Sequence, residues 1–272
     1  MPRNLTAQDR SALIRLASSL PVGSTERKAI LAGLKKTSSE VNVPDVHLFD
    51  AAKVSGKGVV SESAEVRGRA RVYGNARVYG NARVSDQVQV YDNAQVFDDA
   101  KLVYTVQVYG DAKVYDGAVV SDDAEVFGTA DVYGSAKLRD YAKVFDNATV
   151  TGNATVAYNA QVYDNATVKG NATVDEDARV YGNALVEGTS EVGGDAQVFG
   201  SAHVFGECHI GGSAKISGNA ELYNCYVDGK ATILGGELWD CTIGGNAIIL
   251  GGKWENVEDV TSGKWKAPGV PA

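Results

Sequence analysis

Four residue types in this chain could do chemistry by kind and spacing: histidine, cysteine, corner aspartate and two rows of aromatics. The three histidines are His47, His203 and His209, and a histidine serves as general base near neutral pH. His47 is expected in a linker. His203 and His209 precede Val204 and Ile210, and a strand period of two turns them outward if the valines point inward. No nucleophile elbow, phosphate-binding loop or dinucleotide fingerprint accompanies them. Cys208, Cys225 and Cys241 each sit two residues before an aliphatic residue, which places them inside as small hydrophobes. A disulfide between neighbours is geometrically allowed, and with no histidine pointing inward beside them no metal is expected. Recurring aspartates such as Asp92, Asp146 and Asp164 have the hard oxygens calcium takes, but they also fit the backbone of a corner. One Thr149-Val150-Thr151 triplet is too little for an ice-binding face. No cofactor is implied.

The aromatics carry the clearest pattern. One row, recurring at every eighteenth position, runs Tyr73, Tyr91, Tyr109, Phe127, Phe145, Tyr163, Tyr181 and Phe199. A second runs Tyr79, Phe97, Tyr115 and Tyr133, lapses at Thr151, Lys169 and Glu187, and resumes at Phe205 and Tyr223, with Trp239 on the same column after a slip. The third equivalent row (Arg67, Ser85, Val103, Ser121, Arg139, Ala157, Asp175, Gly193, Gly211) has no aromatic. Of 19 Tyr and Phe, 14 lie in the two rows. Aromatics one strand apart stabilise a sheet. Two aromatic rows beside a polar one also mark an interaction surface.

A hexapeptide repeat must position these rows. It reads Ala-x-Val-x-Gly/Asp-Asn, as at Ala76-Arg77-Val78-Tyr79-Gly80-Asn81, with an aliphatic residue at every sixth position from Val54 through Leu222, 29 in all. Two residues earlier stands a small residue, Ala except at Gly58, Val88, Val106, Ser190 and Cys208. The triplet alternates in and out, and the Gly/Asp-Asn pair tolerates left-handed backbone, so strand and corner alternate. A period of this size indicates a β-solenoid.

The pattern resembles the hexapeptide-repeat superfamily of left-handed parallel β-helices, in which an aliphatic residue is followed four residues later by a small one, as Val78 by Ala82 and Val144 by Ala148. The resemblance covers roughly residues 52–250. It implies an all-β solenoid shaped as a triangular prism, with three hexads making one coil, and it supplies the left hand. At about 4.8 Å per coil the regular part is ~46 Å long. Many members are acyltransferases, but fold does not carry activity over, and no loop interrupts the repeat to form a pocket. An acyltransferase with His203 or His209 as base is therefore the weaker alternative.

Residues 1–46 lose the hexad and read as a short α-helical leader or cap, with Thr6 and Ser24 or Thr25 as helix starts and Pro21-Val22-Gly23 between. The regular repeat spans 47–223. Irregular coils follow over 224–256, where Ile233-Leu234-Gly235-Gly236 recurs at Ile249-Leu250-Gly251-Gly252, two positions short of three full hexads. A tail occupies 257–272. The net charge of −8 argues against nucleic acid. No apolar run is long enough for a membrane span and no signal peptide is legible, so a cytoplasmic or virion-associated protein is expected.

The Ala-x-Val-Tyr-Gly-Asn arrays resemble non-enzymatic hexapeptide-repeat proteins of bacteria and tailed phages, and residues 11–21 look like leader segments of phage-encoded proteins. These likenesses imply a rigid oligomeric scaffold, with a further protein partner docked through residues 1–46. Self-association through the rows is expected, as a parallel trimer ahead of a dimer. An aromatic groove between subunits that sequesters a small ligand is the other reading.

Overall fold

The computed structural model describes residues 47–48, 50–61 and 63–265; the helical leader read over 1–46 lies outside them. Every regular element among the described residues is a strand of two or three residues, from His47–Leu48 to Lys264–Trp265. Each hexad contributes one strand, its Val inward and the preceding residue outward, because the Gly/Asp-Asn pair turns the chain before the strand can lengthen. Every third strand pairs in parallel, which makes three sheets of 12, 13 and 12 strands. We call these face A (from His47–Leu48), face B (from Lys53–Val54) and face C (from Val59–Val60). On face A the column Val66, Val84, Leu102, Val120 is in register, each member three hexads after the last.

The interior is the column of Val and Ala that the repeat dictates. From Val60 to Ile249 its aliphatic positions are 0–1% exposed. Each buried Val contributes about 1.5–3 kcal/mol relative to its exposed state. The exceptions respect the slot: Val88 and Val106 fill Ala positions at 0% exposure, and buried Ser190 donates its hydroxyl to the Gly206 carbonyl at 3.4 Å. The cysteines are 1%, 0% and 2% exposed and unbridged. The Cys208 sulfur accepts the Cys225 amide at 3.3 Å, and its two thiol neighbours together with burial push Cys225 well above the usual thiol range. We expect a thiol reagent to label none of the three in the native protein within an hour and all three in denaturant. Rapid native labelling, followed by absorbance, would mean the core opens.

Among the described residues, each corner of the regular repeat turns on one residue with positive φ. Gly takes it at Gly128 (+71°), where a Cβ would stand 2.7 Å from the Asp146 nitrogen. Asp takes it at Asp92, Asp146 and Asp164 (+57° to +59°). The Asp carboxylates have a structural role, since Asp92 and Asp164 accept the amides of Gly110 and Gly182, one coil on, at 3.3 and 3.1 Å. Beside them Asn side chains form amide ladders, such as Asn147 to Asn165 at 3.0 Å and Asn165 to Asn183 at 3.1 Å.

Strand pairing begins one hexad earlier than the linker expected for His47. His47–Leu48 pairs with Glu65–Val66, because Leu48 supplies the aliphatic residue six before Val54. The expected tightening of the last coils is present. On face A the step between partners falls from three full hexads (Val192 to Ile210) to one position fewer (Ile210 to Val227) and then two fewer (Val227 to Ile243). The cause is corners one residue shorter: Asn224 (φ +51°) in the first short step, and Gly235-Gly236 together with Asp240 (φ +51°) in the second. Pairing continues through Lys264–Trp265 on Ile248–Ile249.

Candidate functional site: the aromatic faces

The outward residue after each core Val stands at the end of its strand, and its equivalent is one coil away. That axial step matches ring-to-ring stacking distance, so the aromatics pack on one another. On face B all eight rings form one stack, with centroids 4.8–5.0 Å apart and planes within 5°. On face C, Tyr79, Phe97, Tyr115 and Tyr133 stack at 4.7–4.8 Å. Phe205, Tyr223 and Trp239 cluster on the same face but tilted by 45–48°, where the coils tighten. The structure thus stacks the first row whole and brings the second together as two separate groups. It also changes their presentation: the rings are half-buried and turn edges rather than faces outward.

A second row, one the sequence reading did not single out, clips the rings in place. The hydroxyls of Tyr73, Tyr91 and Tyr181 donate to Gln89, Gln107 and Gln197 at 3.2–3.3 Å, and Tyr109 donates to Glu125 at 3.2 Å. On face C, Tyr79 donates to Gln95 at 3.2 Å. The legible signal was a Gln or Glu just short of one full coil after the Tyr, in the outward position before the next core Val. Burial, then the Glu125 carboxylate, pushes Tyr109 up to about 12. Burial, then Asp131, pushes Tyr115 up to about 12. Both groups are raised above the ordinary phenol value of 10.0, so their contribution to stability is complete below pH 10 and is lost as pH rises toward 12. We expect absorbance at 295 nm to show a tyrosine group titrating near pH 12, with strand signal lost over the same range. Uniform titration near pH 10 with the fold intact would contradict the clipped ladder.

The lapse in the face C row holds a polar chain. Lys169 Nζ lies 2.8 Å from Glu187, whose other oxygen lies 2.7 Å from His203 Nε2. Lys169 first, and His203 after it, hold the Glu187 carboxyl below its usual range. The His203 ring stacks on Phe205 at 4.3 Å. On face A, His209 pairs with Glu191 at 3.4 Å and stacks on Tyr226 at 4.9 Å. Both imidazoles point outward as expected, each engaged by a carboxylate and a ring. Among the described residues no group of three or more His, Cys, Asp or Glu is placed to hold a metal ion, and no helix is long and apolar enough to cross a membrane.

Tyr104, Tyr141 and Tyr158, 49–60% exposed, line the corner between faces A and B, and their period gave no hint of them. Tyr104 and Tyr158 adopt φ +70° and +54° where Gly, Asp or Glu stands in neighbouring coils. Arg139 lies 5.5 Å from the Tyr158 ring centroid.

No curated protein matches this chain. Residues 70–86 and 160–176 match the family model described as the YdcK Beta solenoid repeat, and each stretch lies inside the parallel three-sheet solenoid, so the chain is a β-solenoid repeat protein.

Proposed function

We propose that this chain is a non-enzymatic structural and interaction protein, a rigid β-helical rod that self-associates through its aromatic faces. One observation carries the reading: an eight-ring stack runs unbroken along face B, while the matching row on face A has no aromatic. Intramolecular stacking, roughly 0.2–1 kcal/mol per pair, accounts for a ladder on any face but not for its confinement to two. Parallel strands in register make the rod stiff, because each coil hydrogen-bonds to the next along its whole circuit. Residues 1–46 are the proposed attachment point for a further partner, and the likeness to phage-encoded repeat proteins makes a phage or prophage product the proposed origin. Light scattering after gel filtration tests the self-association. A mass above the 28.6 kDa chain is expected, and a monomer at micromolar concentration would overturn it.

A further inference from the structure

Face B carries a hidden two-fold symmetry. Its eight ladder coils can be numbered one to eight, from the coil of Tyr73 to that of Phe199. A two-fold axis lying across the face between coils four and five matches coil one to eight, two to seven, three to six and four to five. The aromatic row, Tyr-Tyr-Tyr-Phe then Phe-Tyr-Tyr-Phe, reads the same in both directions except at its ends. At the corner with face A, the left-handed residues are Gly68, Asp86, Tyr104 and Asp122, followed by Asp140, Tyr158, Glu176 and Gly194. That order is a palindrome by residue class, and it relates the two strained, exposed tyrosines to each other. At the corner with face C, Asp92, Asp146 and Asp164 fall opposite Gly182, Gly128 and Gly110, a projection facing a gap each time.

Charge obeys the same axis. In the outward row before the core valines, Glu125 in coil four and Lys143 in coil five already pair within one chain at 2.8 Å, and the axis sets this pair against its own copy, carboxylate opposite ammonium. Arg71 and Arg179 meet Gln197 and Gln89, and Gln107 meets Gln161. Beyond the row, Arg69 meets Asp195. The like-charge corner pairs, Asp86 with Glu176 and Asp122 with Asp140, are each engaged by an amide of their own chain at 2.5–3.3 Å. Lys53 and Lys215, outside the ladder, are the remaining like pair, and both are exposed. A parallel trimer placing face B on face C sets Arg71 against Arg77 and Glu125 against Asp131, like charge on like at the interface. The proposed geometry is therefore a dimer in place of the parallel trimer expected from the sequence.

We propose that face B is the docking surface for a second copy of this chain, packed antiparallel about a two-fold axis between the coils of Phe127 and Phe145. This rests on the self-association reading above and specifies its partner and geometry. Ring planes that differ by at most 5° from coil to coil keep the face flat enough to mate along its length. A strip about six residues wide and seven ~4.8 Å steps long offers roughly 650 Å² per copy, close to the ~800 Å² per partner of a standard interface. Isologous two-fold contacts close on themselves and stop at a dimer.

Cysteine cross-linking of the full chain tests the axis. Gln107→Cys and Gln161→Cys lie three coils apart in one chain, about 14 Å, too far for an internal disulfide, but face each other across the proposed axis. Under a mild oxidant the double variant should become mostly covalent dimer on a non-reducing gel, and neither single variant should. Cross-linking of Gln107→Cys alone would overturn the axis in favour of parallel pairing. A dimeric or trimeric mass with no cross-link in the double variant would overturn it while leaving self-association intact. A monomeric mass for the unmodified protein would overturn both.

Discussion

Replacing Tyr109 and Phe127 together by lysine should convert the assembly to monomers without unfolding the rod. The two positions stand in coils three and four, beside the centre of the proposed interface, where loss of a buried aromatic costs about 2 kcal/mol or more. Each interface contains both changes twice, so four ammonium groups would be brought to an apolar seam whose closure requires their desolvation. The dissociation constant should rise at least a thousandfold, about 4 kcal/mol, and light scattering should read the chain mass at concentrations where the parent associates. Within the monomer the loss is smaller. The variant removes the stacks of Tyr91 on Tyr109, Tyr109 on Phe127 and Phe127 on Phe145, worth roughly 0.2–1 kcal/mol each. A variant that keeps its oligomeric mass would show that face B is not the contact.

Replacing Val126 by aspartate should be the most damaging single change to the fold. Val126 is fully buried in the middle of the face B column, with Val108 and Val144 above and below it. A carboxylate there meets no cation and no amide donor beyond those already paired, and it either stays charged or takes a proton at a cost of several kcal/mol. In a solenoid each coil contacts only its neighbours, so the defect cuts the cooperative unit in two. We expect a loss of at least about 4 kcal/mol and, in denaturant, two transitions in place of one. Val126→Ile, which keeps the apolar slot, should cost less than about 3 kcal/mol. A single unshifted transition for the aspartate variant would mean the column is not the source of stability.

How much of this was legible beforehand differs by level. The solenoid, the inward Val and Ala, the corner residues and the aromatic rows all follow from a period of six with no insertion. Even the tightened end was readable from the shortened interval between the two Ile-Leu-Gly-Gly segments. What escaped was set by side-chain reach between coils. The Tyr hydroxyls find Gln89, Gln107 and Gln197 through ring length, not through spacing along one strand. Stacking from coil to coil is one of the two readings of the rows, and it leaves mostly ring edges outward. Tyr104 and Tyr158 break the corner rule instead of following it, so a repeat template passes over them. His47 reads as linker in the sequence because the hexad of Leu48 lacks the small residue, Val46 standing in that slot.

Small-angle X-ray scattering from the full-length protein is the most direct test of paired rods. Sheets of 12 and 13 strands at about 4.8 Å per step give a solenoid roughly 58 Å long. Antiparallel pairing about the axis between the coils of Phe127 and Phe145 offsets the two 13-strand faces by three coils, so it predicts twice the chain mass at a length of roughly 72 Å, with the mass per unit length raised about 1.6-fold. Doubled length at single-rod thickness would mean that the ends associate and the aromatic faces do not, and the thickness and mass of one rod would contradict self-association altogether.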